Sequence, residues 1–429
     1  MKTTTRFSLL VLSTFFIISV FSCADKCEEL REFVEYEPVY IDQAEYEKAV
    51  TLDAPQDVIN AGVIATYGQH LFVNEYNRGI HIINNSDPAN PVNEGFISIN
   101  NNKHFAIKDG IVLANRYNDL VAVNIRNVNA IQEVQRISNV FPDESQVTPQ
   151  GIIAYYNRTS KITTQTCEQP FWGDFWFDED VFMVSATEVM PQTMNTSDAR
   201  ALSAGQTVGT STSSSSARFT IAKDFLYVLN SWSLEVFDIS NPSAPNRQNQ
   251  IGVGTNGNPE TLFPLNDYLF IGANSGMGIY DLSNPGNPQH ISNFSHSTSC
   301  DPVVANEEFA YVTLRSGQRC NGFTNQLDIL DIRNINNPTL MSSVELDNPR
   351  GLTIIGNHVL VCDGKEGVVI FNVADPRNAQ LVGRFPDQQA NDILPISNAV
   401  VAVSGDNGIF QLDVSDLAAP TLLSFVSTK

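Results

Sequence analysis

Three cations and three carboxylates are the residues of this chain best placed to do chemistry: Lys103, Arg218, Arg350, Glu260, Asp301 and Asp392. Each stands at the same place in a recurring unit, at or just before the start of a short apolar segment, and Asn102, Thr261 and Asn391 share that place. A carboxylate beside a guanidinium can move a proton and hold a developing anion, which is the equipment of a hydrolase or lyase. The same groups can also orient a polar ligand, or do no more than line a solvated channel. No compact motif argues for catalysis: the chain has no G-x-S-x-G elbow, no H-E-x-x-H, no phosphate-binding loop and no G-x-G-x-x-G before a helix. His70, His81, His104, His290, His296 and His358 are scattered along it. No catalytic residue and no cofactor is assigned.

The cysteines and tryptophans offer further chemistry. The six cysteines form no C-x-x-C pair and no cluster with histidine, so no metal site is assigned. Cys300 opens one apolar segment and Cys320 lies in the loop after FAYVT, which puts both on one face of the unit; Cys362 faces the same side one unit later. A Cys300–Cys320 bridge is expected in an oxidising compartment, with stabilisation of about 3 kcal/mol for such a loop. The alternative is free, buried thiols. FWGDFWFDED (171–180) holds two of the three tryptophans. Trp172, Phe175 and Trp176 make a candidate platform for a protein or glycan; the plainer reading is a small local core.

The chain opens like an export signal. Lys2 and Arg6 precede a 16-residue apolar run, 7–22, which stops at Cys23. A membrane span needs about 20 such residues, so the run reads as a signal peptide. Val20-Phe21-Ser22 before Cys23 resembles a bacterial lipobox, which implies lipid attachment at Cys23 and a cell-envelope location, at the outer membrane or cell surface. Ordinary secretion is the alternative. Without residues 1–22 the formal charge is −24 over 407 residues. So acidic a surface repels phosphate backbones, and nucleic acid is excluded as a partner.

What must position these residues is a repeat. Seven times an apolar strand ends in Asp or Asn, with a second Asp or Asn three residues later: 84/87, 124/127, 238/241, 281/284, 331/334, 372/375 and 413/416. The first members lie 40, 114, 43, 50, 41 and 41 residues apart. Pro follows most of the pairs, as in VFDISNPSAP. A side-chain oxygen there accepts the N–H two residues on, and Pro prevents the strand from continuing, so the phrase is a turn. Ahead of each turn lie runs such as FLYVL and LEVFD, rich in β-branched and aromatic residues. Behind it lies a more polar run. Each unit therefore predicts a four-stranded antiparallel sheet, and a period near 41 predicts a β-propeller.

The phrase together with its preceding strand resembles the LVIVD repeat family of secreted and surface-attached bacterial proteins, from about residue 60 onward. That resemblance implies a β-propeller and assigns no activity. Asn84, Asn124 and Asn372 depart from its usual Asp.

The expected organisation is a signal peptide (1–22), a lipid-anchored tether with a lead-in strand (23–59), and a propeller (60–429) interrupted by an insertion over 139–215. The fold class is all-β, with seven four-stranded blades and the insertion after the second; the insertion leaves room for an eighth, degenerate blade. The expected function is a binding or scaffold module for a protein or glycan, a monomeric ring held to the membrane by its N-terminal lipid. The rival is an envelope hydrolase or lyase using the acidic and arginine residues of the channel mouth.

Overall fold

The structure, a computed structural model, describes residues 28–59, 61–142, 144–166, 218–230, 232–255, 258–273, 275–295, 302–316, 324–386 and 388–427, with side chains omitted for 28–36 and 157–166. It divides into two compact units, Met1–Val39 with Tyr156–Met190, and Tyr40–Tyr155 with Pro191–Lys429. In the first, the long strands Glu28–Ile41 and Gly151–Thr166 lie side by side in one sheet. In the second, the start of Gly151–Thr166 pairs with Gln146–Thr148, matching Gly151 to Thr148.

The described residues of the second unit form seven antiparallel sheets, over 61–98, 105–137, 219–252, 259–295, 303–345, 352–385 and 392–427. They are called sheets 1 to 7 below. Each runs first strand to fourth in chain order. The first strands neighbour one another in sequence, and that of sheet 7 returns to that of sheet 1. The fold is a β-propeller. Sheet 7 draws all four of its strands from 392–427, so side-chain packing closes the ring and no strand is exchanged.

The repeated phrase makes the turn expected of it. Asp238 Oδ1 accepts the N–H of Ser240 at 2.9 Å, and Asn241 Oδ1 that of Ser243 at 3.2 Å. The first member makes the same bond in all seven sheets. The carbonyl of the second member accepts the N–H three residues on, again in all seven, as Asn90 does to Asp87 at 2.9 Å. Beside the turn every sheet carries a β-bulge between its third and fourth strands, at Val236/Phe237 in sheet 3 and Gln411/Leu412 in sheet 7. The extra residue increases local twist, which each blade needs to pack on its neighbours.

The core lies in the joints between sheets. Two positions share one buried cluster there: the residue two before the first Asx of one sheet, and the residue just after the first Asx of the next. They pair Ile82 with Ile125, Ala122 with Ile239, Val236 with Leu282, Ile279 with Ile332, Ile329 with Val373, and Ile370 with Val414, all buried. A buried aliphatic side chain contributes roughly 1.5–3 kcal/mol, so these joints carry the stability of the ring. The joint of sheets 7 and 1 holds Ile64, Leu71, Val73 and Ile83 against Leu394, Ala402 and Ile409.

Residues 42–59 form a strap over sheets 1 and 2. Asp42 caps the short helix Gln43–Glu47 by accepting the Glu45 N–H at 2.8 Å. At its C-terminal end the carbonyls of Glu45, Tyr46 and Lys48 accept from the guanidinium groups of Arg116 and Arg136, where the helix dipole favours cations. Tyr46 stacks on Tyr117 at 5.2 Å. Glu133 holds both Arg136 and the Val50 N–H. Thr51–Asp53 then adds a fifth strand to sheet 1, pairing Leu52 with Ile97. Val50 plugs the joint of sheets 1 and 2, and Val58 that of sheets 7 and 1.

Candidate functional site

Antiparallel order puts the start of every first strand beside the end of every second strand, so these residues rim one mouth of the ring. Most of the predicted site residues found there are tied to a neighbour. Lys103, 6% exposed, reaches its ammonium to Glu144. Burial works most strongly against its charge, but the charge and hydrogen bond of Glu144 together with Tyr76 hold its pKa above the ordinary value. Arg218, also buried, lies close enough to Lys103 for the two charges to interact, and donates from Nη2 to the Pro259 carbonyl of the next sheet at 3.1 Å. Arg350 donates from Nη1 to Asn391 Oδ1, linking sheets 6 and 7. Asn391 in turn donates to Asp406 at 2.7 Å. Asp392 is buried beside the Cys362 thiol, and Glu260 is half-buried at the start of sheet 4.

Asparagine amides stitch sheets 1 and 2 together at the rim. Asn74 donates to Asn102 Oδ1 at 2.6 Å, Asn102 donates to the Asn115 carbonyl at 3.0 Å, and Asn115 donates to the Asn101 carbonyl at 2.8 Å. Asn115 Oδ1 also accepts the N–H groups of Lys103 and His104, at 2.8 and 2.9 Å. An amide both donates and accepts, so it satisfies a buried loop without bringing in a charge. At sheet 6, Asp363 accepts the N–H groups of Asp347 and Asn348, at 3.0 and 2.7 Å. Burial pushes the Asp363 carboxyl above its ordinary value despite those bonds.

Cys362 is fully buried and free, and burial, reinforced by the Asp392 charge, pushes its thiol well above the ordinary range. A thiol held in that state is a poor nucleophile. Among the described residues no group of His, Cys, Asp and Glu is placed to hold a metal ion. Asp301, Cys23, Cys300, Cys320, Trp172, Phe175 and Trp176 lie outside the described residues. Sequence reasoning missed Glu144, Asn74 and Asn115. The run Asn100-Asn101-Asn102 before a first strand was the available signal for the amide lattice.

A closed ring of four-stranded sheets around a polar mouth defines a propeller. The LVIVD repeat family model matches residues 217–250, 265–296 and 299–345. No curated protein matches the chain. Solved structures of similar fold include Hsv2 of Kluyveromyces lactis, with 10% identity over 84% of this chain and 98% of that one, TM-score 0.48. BamB from Moraxella catarrhalis shares 9% identity over 88% and 97%, TM-score 0.46. The computationally designed Ika8 protein shares 11% over 86% and 88%, TM-score 0.49.

Proposed function

We propose that this chain is a lipid-anchored propeller of the bacterial cell envelope that binds a protein or glycan ligand at its mouth and serves as a scaffold. The observation that carries this reading is that the three cations of the mouth are each tied to a fixed partner, two of them in the next sheet. Lys103 on Glu144, Arg218 on the Pro259 carbonyl and Arg350 on Asn391 make a rigid, preorganised polar rim. Preorganisation favours binding, because little side-chain freedom is lost when a ligand arrives. The apolar run that ends before Cys23 supports attachment there.

Two measurements test it. Cys23→Ala should move the protein from the membrane fraction to the soluble fraction; wild type in the aqueous phase of a detergent extraction would end the anchor. Binding to a panel of envelope glycans and envelope proteins should fall by degrees across Lys103→Ala, Arg218→Ala and Arg350→Ala. Hydrolysis or elimination of a panel glycan that vanishes in Asp301→Ala or Arg350→Ala would instead install the hydrolase or lyase reading.

A further inference from the structure

The joint that closes the ring differs from the other six in the two positions that each joint buries together. Where the others set an aliphatic residue on each side, this one sets Gln411 of sheet 7 against Asn85 of sheet 1. Asn85 Nδ2 donates to Gln411 Oε1 at 2.9 Å and Gln411 Nε2 donates back to Asn85 Oδ1 at 2.7 Å. Asn85 is 8% exposed and Gln411 1%. Gln411 Nε2 further reaches the Pro88 carbonyl at 3.0 Å and Ser424 Oγ at 3.1 Å. Three of these bonds cross the joint, and the fourth, to Ser424 Oγ, stays within sheet 7.

We propose that Asn85 and Gln411 are a closure latch that fixes which sheet completes the ring. The packing faces of the sheets are otherwise near-equivalent, so sheet 1 offers sheet 6 much the same apolar surface that it offers sheet 7, and sheet 7 could likewise settle on sheet 2. Rings of several sizes are sterically feasible for this architecture. Closing on sheet 6 would bury the Asn85 amide against Ile370, and seating sheet 7 on sheet 2 would bury the Gln411 amide against Ile125. A buried amide without a partner is penalised far more than a satisfied one is rewarded. Each wrong closure therefore leaves one amide short of partners, Asn85 without Gln411 or Gln411 with Ser424 Oγ alone, and the correct closure leaves neither short. A single buried polar contact that selects register is an attested device.

The test separates selection from simple loss of stability. The full chain and its variants are refolded from urea, and hydrogen exchange is read by mass spectrometry on peptides of each sheet. Asn85→Ile makes sheet 1 acceptable to sheet 6, so a second population should appear with 392–427 unprotected and 61–98 protected. Gln411→Ile makes sheet 7 acceptable to sheet 2, and the unprotected sheet should be 61–98 instead. The double Ile variant should melt no lower than wild type yet still show misclosed molecules, several-fold above wild type. Equal loss of protection in sheets 1 and 7 for both single variants, or a fully protected double variant, overturns the latch. Should a single variant fail to refold at all, the double variant decides alone.

Discussion

Gly383 in sheet 6 lies against the carbonyl oxygen of Leu417 in sheet 7, so closely that a Cβ built on it would sit 1.9 Å from that oxygen. Leu417 is the fourth residue after its first Asx. The carbonyl at the same place in other sheets accepts a hydrogen bond from the preceding sheet: Ser292 to Ile335 and Ser342 to Pro376, both at 2.6 Å, and Tyr227 to Pro285 at 2.8 Å. Gly383 shares the register of Ser292 and Ser342, each opposite the residue two before the first Asx. Here the backbone approaches instead of a hydroxyl.

Gly383→Ala should therefore force sheets 6 and 7 apart and cost about 1–3 kcal/mol, as overpacking does. The readout is the urea midpoint. Gly252→Ala is the control, because a Cβ there meets nothing within 4 Å. Equal effects at the two glycines would refute the close approach.

The turn aspartates should behave as acceptors, not as charges. Asp238, Asp281, Asp331 and Asp413 all have pKa values lowered from the ordinary 3.8; side-chain hydrogen bonds lead the causes at Asp238, Asp331 and Asp413, and the Ser283 N–H leads at Asp281. Their contribution is present above that ordinary value and disappears as pH falls through the lowered one. Changing any of them to Ala should lower the melting temperature at neutral pH. Changing them to Asn should leave it nearly unchanged, because Asn84, Asn124 and Asn372 already make the same bond. The Asn forms should also lose part of the acid sensitivity, which melting curves between pH 3 and pH 7 would show.

Arg136 should be a keystone of the strap. Its guanidinium serves the carbonyls of Tyr46 and Lys48 and the Glu133 carboxylate together. Arg136→Ala should cost roughly 1.5–3 kcal/mol, the range for hydrogen bonds to charged groups. Hydrogen exchange should rise over residues 42–59 and hardly at all in sheets 3 to 6. Uniform loosening of the ring would contradict this local role.

Tyr46 gives the strap an alkaline limit. Burial first, and then the charge and hydrogen bond of Asp119, push its hydroxyl from 10.0 up to about 12. The phenol is thus protonated preferentially in the folded state. Its contribution is complete below pH 10 and lost as pH climbs towards about 12. Tyr46→Phe should remove that slope from the alkaline stability curve, and an unchanged slope would place its origin elsewhere.

Cys362 should react with a thiol reagent only as fast as sheet 6 opens. The group is buried, with its pKa raised by that burial. Labelling as fast in the native protein as in urea would disprove its burial.

The architecture was legible because the turn phrase is local and repeats: Asp238 and Asn241 need only their own next few residues to declare a corner. The strap was not legible. QAEYE is too short to show a helical period, and TLD too short to show strand alternation; only Arg116, Arg136 and Glu133, distant in sequence, define their places. At the mouth, spacing placed Lys103, Arg218 and Arg350 on the rim. It could not reveal that Glu144 meets Lys103 and Asn391 meets Arg350, because these contacts join residues about 41 positions apart and leave no periodic trace.

Closure without an exchanged strand has a consequence for how the chain is made. Asn85 and Gln411 are 326 residues apart, so at ordinary rates of synthesis the first waits for the second for roughly a quarter of a minute to a minute. Through that interval Ile64, Leu71, Val73 and Ile83 have no sheet 7 to cover them. The nascent protein passes through a stage with one long-lived sticky flank, where a holdase would find its target and where heat or overproduction would divert the most material to aggregates. An amide set into that flank softens it, useful to the growing chain well before it serves the finished ring.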